Sequence, residues 1–513
     1  MKEFLLILIS IPVVSIAQIG TTHNEADQHH KKGIAMVGQL SNILADSIAA
    51  DSTGMSTLNS VDFAKAMVPG WNVGNSLEAD GGETGWGNPL ISQTLIDSIK
   101  AAGFKAIRIP VAWGQHSDTS FTINSNWIAR VEQVINFVLK DSMYAIINEH
   151  WDNGWILPTY EQQAYVNNRL TIMWRQIAVH FRDYGDHLLF AGTNEIHIPN
   201  VYTGPTTENS TVQNGFNQAF VTAVRSTGGR NVYRYLAVQG YNTNIDNTYN
   251  YFAIPKDVVR NRLMVEVHYY DPYDFTINTG STITQWGSYA TAPSKTETWA
   301  NESYADGQFQ KMKSKFIDKG YAVILGEYGA MARLNLGTTA LNAEYARYRL
   351  YYMEYITRSI ERHGLVPFYW DNGGTNDFGM GLFNRSNGAK SYPDVIKGII
   401  DTLITTNGTT GVNILSNPSK FSLSQNYPNP FNPSTTFSFS LPSQSFVSLK
   451  VFNLLGSEVA TIVSKELLAG NYSEKWDASM MSSGIYFYRL QARQTSDGLA
   501  GSFTETKKLV LMR

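Results

Sequence analysis

The chain has 513 residues, of which 43% are hydrophobic and 16% charged, so it can bury a large core and is not a disordered chain. Its 40 basic and 43 acidic residues give a net charge of −3, which leaves no basic excess for binding nucleic acid phosphates. The absence of cysteine excludes disulfides, cysteine-ligated zinc, iron–sulfur clusters and thiol catalysis.

The first 17 residues have the pattern of a secretory signal peptide. Lys2 precedes an apolar run over residues 4–16, and small residues, Ser15 and Ala17, stand where a signal peptidase needs them. The run is too short for a firm membrane anchor, although an uncleaved anchor or a buried strand is the alternative. Residues 18–55 are predicted to form a polar leader.

Short β-rich runs alternate with amphipathic helical patterns over residues 56–408. Most of these runs are almost continuously apolar, as expected for strands that are buried on both faces. Eight strand–helix units predict an α/β fold, a (β/α)8 TIM barrel with enlarged loops. A doubly wound open sheet is the alternative, but no glycine-rich phosphate-binding motif follows the early strands. The predicted strands are residues 69–74, 104–111, 144–150, 188–195, 233–240, 262–270, 321–329 and 365–373.

The composition changes after residue 408. Five prolines lie between Pro418 and Pro442, and alternating apolar patterns replace the helical ones. We therefore predict a linker over 409–420 and a small all-β sandwich domain over 421–513. Its predicted strands are residues 437–442, 447–453, 485–492 and 508–513.

Polar residues end most of the predicted barrel strands, where a TIM barrel carries its active site. Any one of them could cap a helix or form a loop ion pair. Two carboxylates on opposite strands, with arginine, histidine and tyrosine between them, indicate a functional site instead. The strand-end residues are Asn72, Arg108, His150, Asn194, Glu195, His268, Tyr270, Glu327, Trp370 and Asp371.

Glu195 ends the fourth predicted strand and Glu327 the seventh, so the two face each other across the barrel mouth. Glycoside hydrolysis uses such a pair, one carboxyl group protonating the leaving oxygen and the other attacking the anomeric carbon. Arg108 and Tyr270 could keep one of them ionised while the other stays protonated in a drier environment. Retention of configuration would need the two groups about 5–5.5 Å apart.

Eight motifs occur in order along the predicted barrel: GWNVGNSLEAD (70–80), ETGWGNP (83–89), GFKAIRIPVAW (103–113), MYAIINEHWDNGW (143–155), LLFAGTNE (188–195), VEVHYYDPYDF (265–275), VILGEYGA (323–330) and PFYWDNG (367–373). Together they resemble glycoside hydrolase family 5, in particular its broad-specificity endo-β-1,4-glucanases. The resemblance implies a retaining barrel enzyme without an essential metal or cofactor. It also implies that Glu195 is the acid/base and Glu327 the nucleophile.

The resemblance implies roles for the other strand-end residues as well. Asn194 would bond the 2-hydroxyl of the sugar, and Arg108 and Tyr270 would orient Glu327 and keep it ionised. Trp370 would form the platform under the sugar at subsite −1. The full set of expected substrate-binding residues is Asn72, Arg108, His150, Trp151, Asn194, His268, Tyr270 and Trp370.

The chain departs from the family pattern in three places. Ile196 replaces the usual proline after the acid/base, and Ala191 stands where an acidic residue is common. Trp151 takes the place of the second histidine of a pair, which could change a sugar subsite and the preferred substrate. Four loop tryptophans are candidate sugar-stacking positions: Trp86, Trp113, Trp155 and Trp286.

The last domain resembles a different family. The strings FSLSQNYPNPFNPSTTFSFSLP (421–442) and VSLKVFNLLGSEV (447–459), with the KKLVLMR end, are similar to a type IX secretion sorting domain. That resemblance implies recognition by outer-membrane secretion machinery and a secreted or surface-attached enzyme. A carbohydrate-binding sandwich is the alternative, but Trp476 is the only tryptophan available for a flat sugar platform.

We therefore predict a secreted, monomeric, retaining endo-β-1,4-glucanase that acts on cellulose-type or mixed-linkage glucans. A xyloglucanase, lichenase, mannanase or xylanase on the same scaffold stays open, because the same catalytic residues would serve each of them. A non-catalytic glycan-binding surface protein is the rival from another class. The presence of both glutamates disfavours it, since binding alone does not need them.

Overall fold

The computed structural model describes residues 48–150, 152, 154–201, 204–407, 420–426, 428–442, 445–467, 470–494 and 502–512. The chain divides into two compact units, Met1–Gly408 and Thr409–Arg513. The predicted signal peptide, most of the polar leader and Trp151 lie outside the described residues. Among the described helices, none has both the length and the apolar character needed to cross a membrane.

Eight parallel strands in the first unit close into a barrel, in which each strand pairs with the next and the last pairs with the first. This confirms the predicted fold, and each predicted run overlaps one strand. The strands are β1 Gly70–Val73, β2 Ala106–Ile109, β3 Tyr144–Asn148, β4 Leu188–Ala191, β5 Leu236–Asn244, β6 Leu263–Tyr269, β7 Ala322–Tyr328 and β8 Val366–Asp371.

Helices surround the barrel, and the spacing of their apolar residues explains which face they bury. In the helix over residues 125–140, Val131, Val134, Ile135 and Val138 are buried against the strands. Side chains such as Ser92 and Thr338 cap helix starts by accepting backbone N–H bonds. The α-helices are α1 Ser60–Ala64, α2 Gln93–Ala102, α3 Ser125–Lys140, α4 Tyr160–His180, α5 Thr207–Arg225, α6 Ile245–Tyr251, α7 Tyr273–Thr276, α8 Glu302–Lys315, α9 Thr339–Arg362 and α10 Pro393–Asn407.

The barrel interior changes from apolar to polar along its axis. Successive side chains of a strand point to opposite faces, so Ala106 and Arg108 of β2 face inward while Ile107 and Ile109 pack under the helices. Ala106 belongs to an apolar cluster that Phe63 of α1 helps to close at one end of the barrel. Arg108 lies at the other end, where the strands finish, and this end holds the polar residues predicted from the sequence.

The second unit consists of two antiparallel sheets, ordered β9-β10-β13 and β12-β11-β14-β15. Alternating residues such as Phe437 and Phe439 of one sheet and Leu449 and Leu490 of the other share one apolar core. Two long strands, Glu458–Leu467 and Gly470–Asp477, were missing from the prediction. The strands are β9 Ser422–Leu423, β10 Ser434–Leu441, β11 Ser445–Phe452, β12 Glu458–Leu467, β13 Gly470–Asp477, β14 Gly484–Gln494 and β15 Ser502–Leu511.

Candidate active site

The centre of the polar end is Arg108, whose side chain is fully buried. Its Nη1 donates to Glu327 Oε1 at 3.1 Å and to Asn72 Oδ1 at 3.0 Å, and its Nη2 donates to Asn194 Oδ1 at 2.6 Å. Its Nε lies 2.8 Å from Glu266 Oε1. All three guanidinium nitrogens contact protein side chains, so Arg108 can position these side chains but has no nitrogen left to bind a sugar.

Glu327, near the end of β7, is held by two neighbours. Besides the bond from Arg108, the Tyr270 hydroxyl donates to its Oε2 at 3.1 Å. Burial raises the pKa of Glu327; His268 and Arg108 oppose this rise, and the carboxylates of Glu195 and Glu266 add to it. Its side chain is only 7% exposed. The Glu327 carboxyl group is therefore held in one orientation, facing the cleft.

Glu195 follows β4 and reaches the same spot from the opposite side. Oxygen atoms of Glu195 and Glu327 lie within 4.8 Å of each other. The Glu195 side chain is 40% exposed, and its Oε1 is 2.7 Å from His268 Nδ1. This separation suits retention, since an inverting pair needs about 6.5–9.5 Å to accommodate a water.

His268 stores a proton next to Glu195. Burial acts to lower the pKa of His268, but the carboxylates of Glu327, Glu195 and Glu266 outweigh it and raise that pKa to about 9. Burial also acts to raise the pKa of Glu195, yet the hydrogen bond and charge of His268, with Arg108, bring it below its ordinary value. The proton therefore lies on His268 in the free enzyme, one hydrogen bond away from Glu195.

The sequence analysis missed Glu266, a buried carboxylate beneath this pair. It precedes His268 by two residues on β6 and so shares its inward face, which is the signal that an alternation pattern offers. Gly326 leaves room for it, because a Cβ there would lie 2.2 Å from Glu266 Oε1. Burial opposes ionisation of Glu266, but Arg108 and His268 lower its pKa to about 2. Glu266 is thus a permanent negative charge under the site.

Replacing Glu266 with glutamine is expected to shift the pH–rate profile. The charge of Glu266 raises the pKa of both His268 and Glu327, so its loss should move both limbs of the kcat/KM profile to lower pH by about one unit. The measurement is the initial rate on a soluble glucan between about pH 4 and 10, a range that spans the ordinary pKa values of glutamate and histidine.

Glu266 accepts a hydrogen bond from Gln239 Nε2 at 2.7 Å. Glu344→Gln serves as the matched control, because Glu344 likewise accepts a bond from a glutamine, Gln285 Nε2, but outside this site. Its profile should coincide with that of the parent. A Glu266→Gln enzyme that loses kcat with both limbs unmoved would show that Glu266 acts only on structure.

His150, Asn194 and Trp370 form the wall beside the two glutamates. The His150 and Trp370 rings are parallel within 8°, with centroids 5.7 Å apart, and Asn194 Nδ2 is 3.5 Å from His150 Nε2. Burial, with Arg108 and His268, lowers the pKa of His150 well below its usual range, so this ring is neutral. Gly74 makes space for the indole of Trp370, since a Cβ there would lie 2.6 Å from the ring.

Of the remaining predicted residues, Trp86 is 46% exposed and the others are more enclosed. Asn72 is fully buried, and its Nδ2 donates to the carbonyls of Gly326, Phe368 and Tyr369, so it lies below Arg108 rather than in the cleft. Trp113 and Trp286 are not stacking positions: both are buried, and their indole N–H groups donate to backbone carbonyls. Trp286 packs against Tyr351 and Tyr352 of α9, and Trp113 belongs to the main apolar core.

Trp155, by contrast, lines a cavity of about 480 Å³ beside Glu195. Its indole N–H donates to Asp152 Oδ2 at 3.1 Å, and the Arg169 guanidinium lies 4.2 Å from the ring centroid. These two contacts fix the orientation of the ring. The cavity also reaches His197 and Pro199, so it extends the cleft from Glu195 away from the barrel centre.

Glu195, His268 and Glu327 could in principle offer three ligand atoms to a metal ion. Their surroundings favour proton chemistry instead. Arg108 already neutralises Glu327 at 3.1 Å, and the pKa of about 9 keeps a proton on the ring that a metal would have to displace.

Comparison with known proteins supports both halves of the chain's sequence resemblance. Residues 71–376 match the family model of cellulase (glycosyl hydrolase family 5), and residues 425–498 match that of the secretion system C-terminal sorting domain. Endoglucanase A of Paenibacillus barcinonensis is 38% identical over 376 residues, which cover 69% of this chain and 92% of that protein. The xyloglucan-specific endo-β-1,4-glucanase of Bacteroides ovatus is 42% identical over 371 residues, covering 69% of this chain and 72% of the other.

Solved structures of similar fold also include β-glucan-cleaving enzymes. A Bacteroides ovatus xyloglucanase in complex with a heptasaccharide has a TM-score of 0.66 at 40% identity, covering 70% of this chain and 79% of that one. A broad-specificity endoglucanase from Bacteroides salanitronis has a TM-score of 0.64 at 38% identity, with coverages of 68% and 96%. The barrel fold is therefore shared with enzymes that are named for the cleavage of β-glucans.

Proposed function

The chain belongs to glycosyl hydrolase family 5 and is a secreted endo-β-1,4-glucanase, and from this premise we propose that Glu195 and Glu327 hydrolyse β-1,4-linked glucans by a retaining double displacement. The observation that carries the proposal is the approach of the two carboxyl groups to within 4.8 Å. At that separation the second carboxylate can reach the anomeric carbon itself, with no water between them.

In the first step Glu327 forms a bond to the anomeric carbon while the bond from that carbon to the leaving oxygen breaks. Glu195 gives the departing oxygen its proton. His268 Nδ1 lies 2.7 Å from Glu195 Oε1, so the proton on this nitrogen can move onto the carboxylate as a sugar enters. Substrate binding favours this transfer, because covering the exposed Glu195 side chain disfavours its charged form.

In the second step Glu195 removes a proton from water, and the resulting oxygen displaces Glu327 from the anomeric carbon. The sugar keeps its original configuration after two displacements. Throughout, Arg108 and Tyr270 hold Glu327 in line, and Asn72 and Glu266 hold Arg108. These last two are positioning residues in our proposal, whereas Asn194, His150 and Trp370 contact the sugar.

The proposal also gives the cleft a direction. The leaving part of the glucan is next to the acid, so it occupies the cavity that Trp155 lines, and the sugar under attack lies against Trp370. The fixed indole of Trp155 offers an apolar face to the C–H face of a glucose unit. Trp151 follows His150 in the chain and is a further candidate for stacking beside Trp155 and Trp370, on sequence grounds alone.

A substrate panel with an anomeric readout tests this proposal. We expect the enzyme to release reducing sugar from carboxymethylcellulose, barley β-glucan and xyloglucan, with weaker activity on mannan and xylan. Viscosity should fall early, as an endo-acting enzyme requires. Proton NMR of the first product should show the β-anomer before it equilibrates. An α-anomer would contradict the roles given to Glu195 and Glu327.

Xyloglucan is a second candidate for the preferred substrate. The relative from Bacteroides ovatus with 42% identity is named for that polysaccharide. A branched glucan needs lateral space, and the cavity next to Glu195 provides about 480 Å³ on one side of the catalytic pair. A kcat/KM for xyloglucan at least about tenfold above that for barley β-glucan, which corresponds to about 1.4 kcal/mol, would establish this preference.

A further inference from the structure

The second unit collects several chain segments at one end of its sandwich. The turn over residues 453–457 connects β11 to β12, and the loop over 478–483 connects β13 to β14. Strand pairing places these two connections side by side, because Phe452 pairs with Phe487 and Gly484 pairs with Leu511. Met512 follows β15 at this same end.

The proline-rich string of the sorting motif also lies there. The Phe431 N–H donates to the Val510 carbonyl, and the Met512 N–H donates to the Phe431 carbonyl. The Ala478 N–H donates to the Pro433 carbonyl. The motif residues are thus tied by their backbone to the C-terminal strand and to the loop over 478–483, which gives this end of the domain a defined shape.

Large apolar side chains point into solvent at this end. Leu455 is 90% exposed and Met480 91%, and Leu454 and Met512 are 67% and 56% exposed. Single exposed apolar residues are common on protein surfaces and need no explanation. Four of them on neighbouring connections at one end of a small domain indicate an interaction surface instead.

The same segments carry no charge. Residues 428–442, 451–457, 478–488 and 509–512 contain no Asp, Glu, Lys or Arg. The bordering carboxylate of Glu458 is paired with Lys450 at 2.8 Å. Elsewhere on the same sheet, exposed charges such as Lys465 and Glu466 keep the surface hydrophilic. The segments at this end are therefore apolar, and the charges that border them include Asp477, Arg489, whose guanidinium lies 4.9 Å from the Phe452 ring centroid, and Arg513, which follows Met512 in the sequence.

We propose that this apolar end, formed by Leu454, Leu455, Met480 and Met512, is the surface by which the sorting domain docks into an apolar groove of a protein component of the secretion machinery. A protein acceptor fits better than a lipid bilayer. Four apolar side chains on short turns give little membrane affinity, and two neighbouring cations are already engaged, Lys450 with Glu458 and Arg489 with the ring of Phe452. The proposal goes beyond catalysis and does not depend on the roles of Glu195 and Glu327.

Export of the full chain from a bacterium with type IX secretion tests the proposal. The variant is Leu454→Ser with Leu455→Ser, and a second variant is Met480→Ser. We expect the amount of the double variant at the surface and in the medium to be at least about tenfold lower than that of the parent, and the variant to accumulate in the periplasm. A loss of about 1.4 kcal/mol of docking free energy is enough for this change. Immunoblots of the separated fractions measure it.

Two controls accompany these variants. Phe446→Ser removes a 47% exposed apolar side chain from the opposite end of β11 and should be exported like the parent. Leu455→Ile keeps the apolar surface and should also be exported. Glucanase activity per molecule and the thermal unfolding profile should be unchanged in all variants, since the replaced side chains are outside the core.

Three results would overturn the proposal. The first is normal export of both serine variants, and the second is equal retention of Phe446→Ser. The third is a different occupant of the same surface. Binding of the purified parent to vesicles of neutral or anionic lipid, lost in the double variant, would assign the surface to the bilayer. A concentration-dependent dimer lost in that variant would assign it to a second copy of the chain.

Discussion

Glu327→Ala is expected to lower kcat on barley β-glucan by about 10⁴-fold or more, because the covalent step loses its nucleophile. The binding residues stay in place, so KM should change little. Reducing-sugar release at matched enzyme concentration measures the effect. Glu161→Ala, which removes an exposed carboxylate from the first turn of α4, is the control and should keep the parental rate.

A small anion should restore activity to the Glu327→Ala enzyme in a way that reports the missing role. The vacated space lies between Arg108 and Tyr270, two groups that donate to an anion there. Azide bound in it can attack the anomeric carbon of an aryl cellobioside in one displacement. The expected product is the α-glycosyl azide, identified by NMR. Full activity without azide, or a β-glycosyl azide, would contradict the assignment of Glu327.

The meeting of Glu195 and Glu327 at one rim was predictable from the sequence, because barrel topology makes a strong prediction. Once eight strands are recognised, their carboxyl ends must meet at one rim, so residues far apart in sequence such as Arg108 and Glu327 are brought together. Period-two alternation then decides which strand residues face inward. The same rule places Glu266 on the inward face, two residues before His268, although Glu266 was not among the predicted site residues.

The balance of charge at the site was harder to predict. The sequence suggested that Arg108 and Tyr270 keep Glu327 ionised, and both do contact it. However, Arg108 is shared with Glu266, and the side chain of Glu327 is more buried than that of Glu195. Burial and sharing depend on how loops and neighbouring strands close around a group, and a linear sequence gives no measure of either.

Loop and edge features were the other misses. Trp113 and Trp286 were candidate sugar-stacking positions, but both are buried, Trp113 in the main apolar core and Trp286 against tyrosines of α9. In the C-terminal domain, Glu458–Leu467 went unpredicted because half of its side chains are exposed, one is buried and several are charged. A strand that pairs at a sheet edge over a small core needs few apolar residues, so periodicity alone does not reveal it.

Glu195→Ala is expected to separate the two steps of the reaction. On β-glucans the loss of the proton donor should reduce kcat/KM by about 10²–10⁴-fold. An aryl cellobioside with a dinitrophenolate leaving group needs no proton, so its first step should stay fast. A burst of phenolate equal to the enzyme concentration should follow, because the second step has lost its base and the glycosyl-enzyme accumulates.

Azide should speed the second step of the Glu195→Ala enzyme and give the β-glycosyl azide, since the anion enters where Glu195 stood and displaces Glu327. The two variants thus yield opposite anomers from one reagent, and a fold defect cannot imitate that contrast. The alkaline limb of the pH profile on the aryl substrate should also disappear, because His268 no longer has an acid to supply with its proton. The same anomer from both variants would mean that Glu195 and Glu327 do not lie on opposite faces of the sugar.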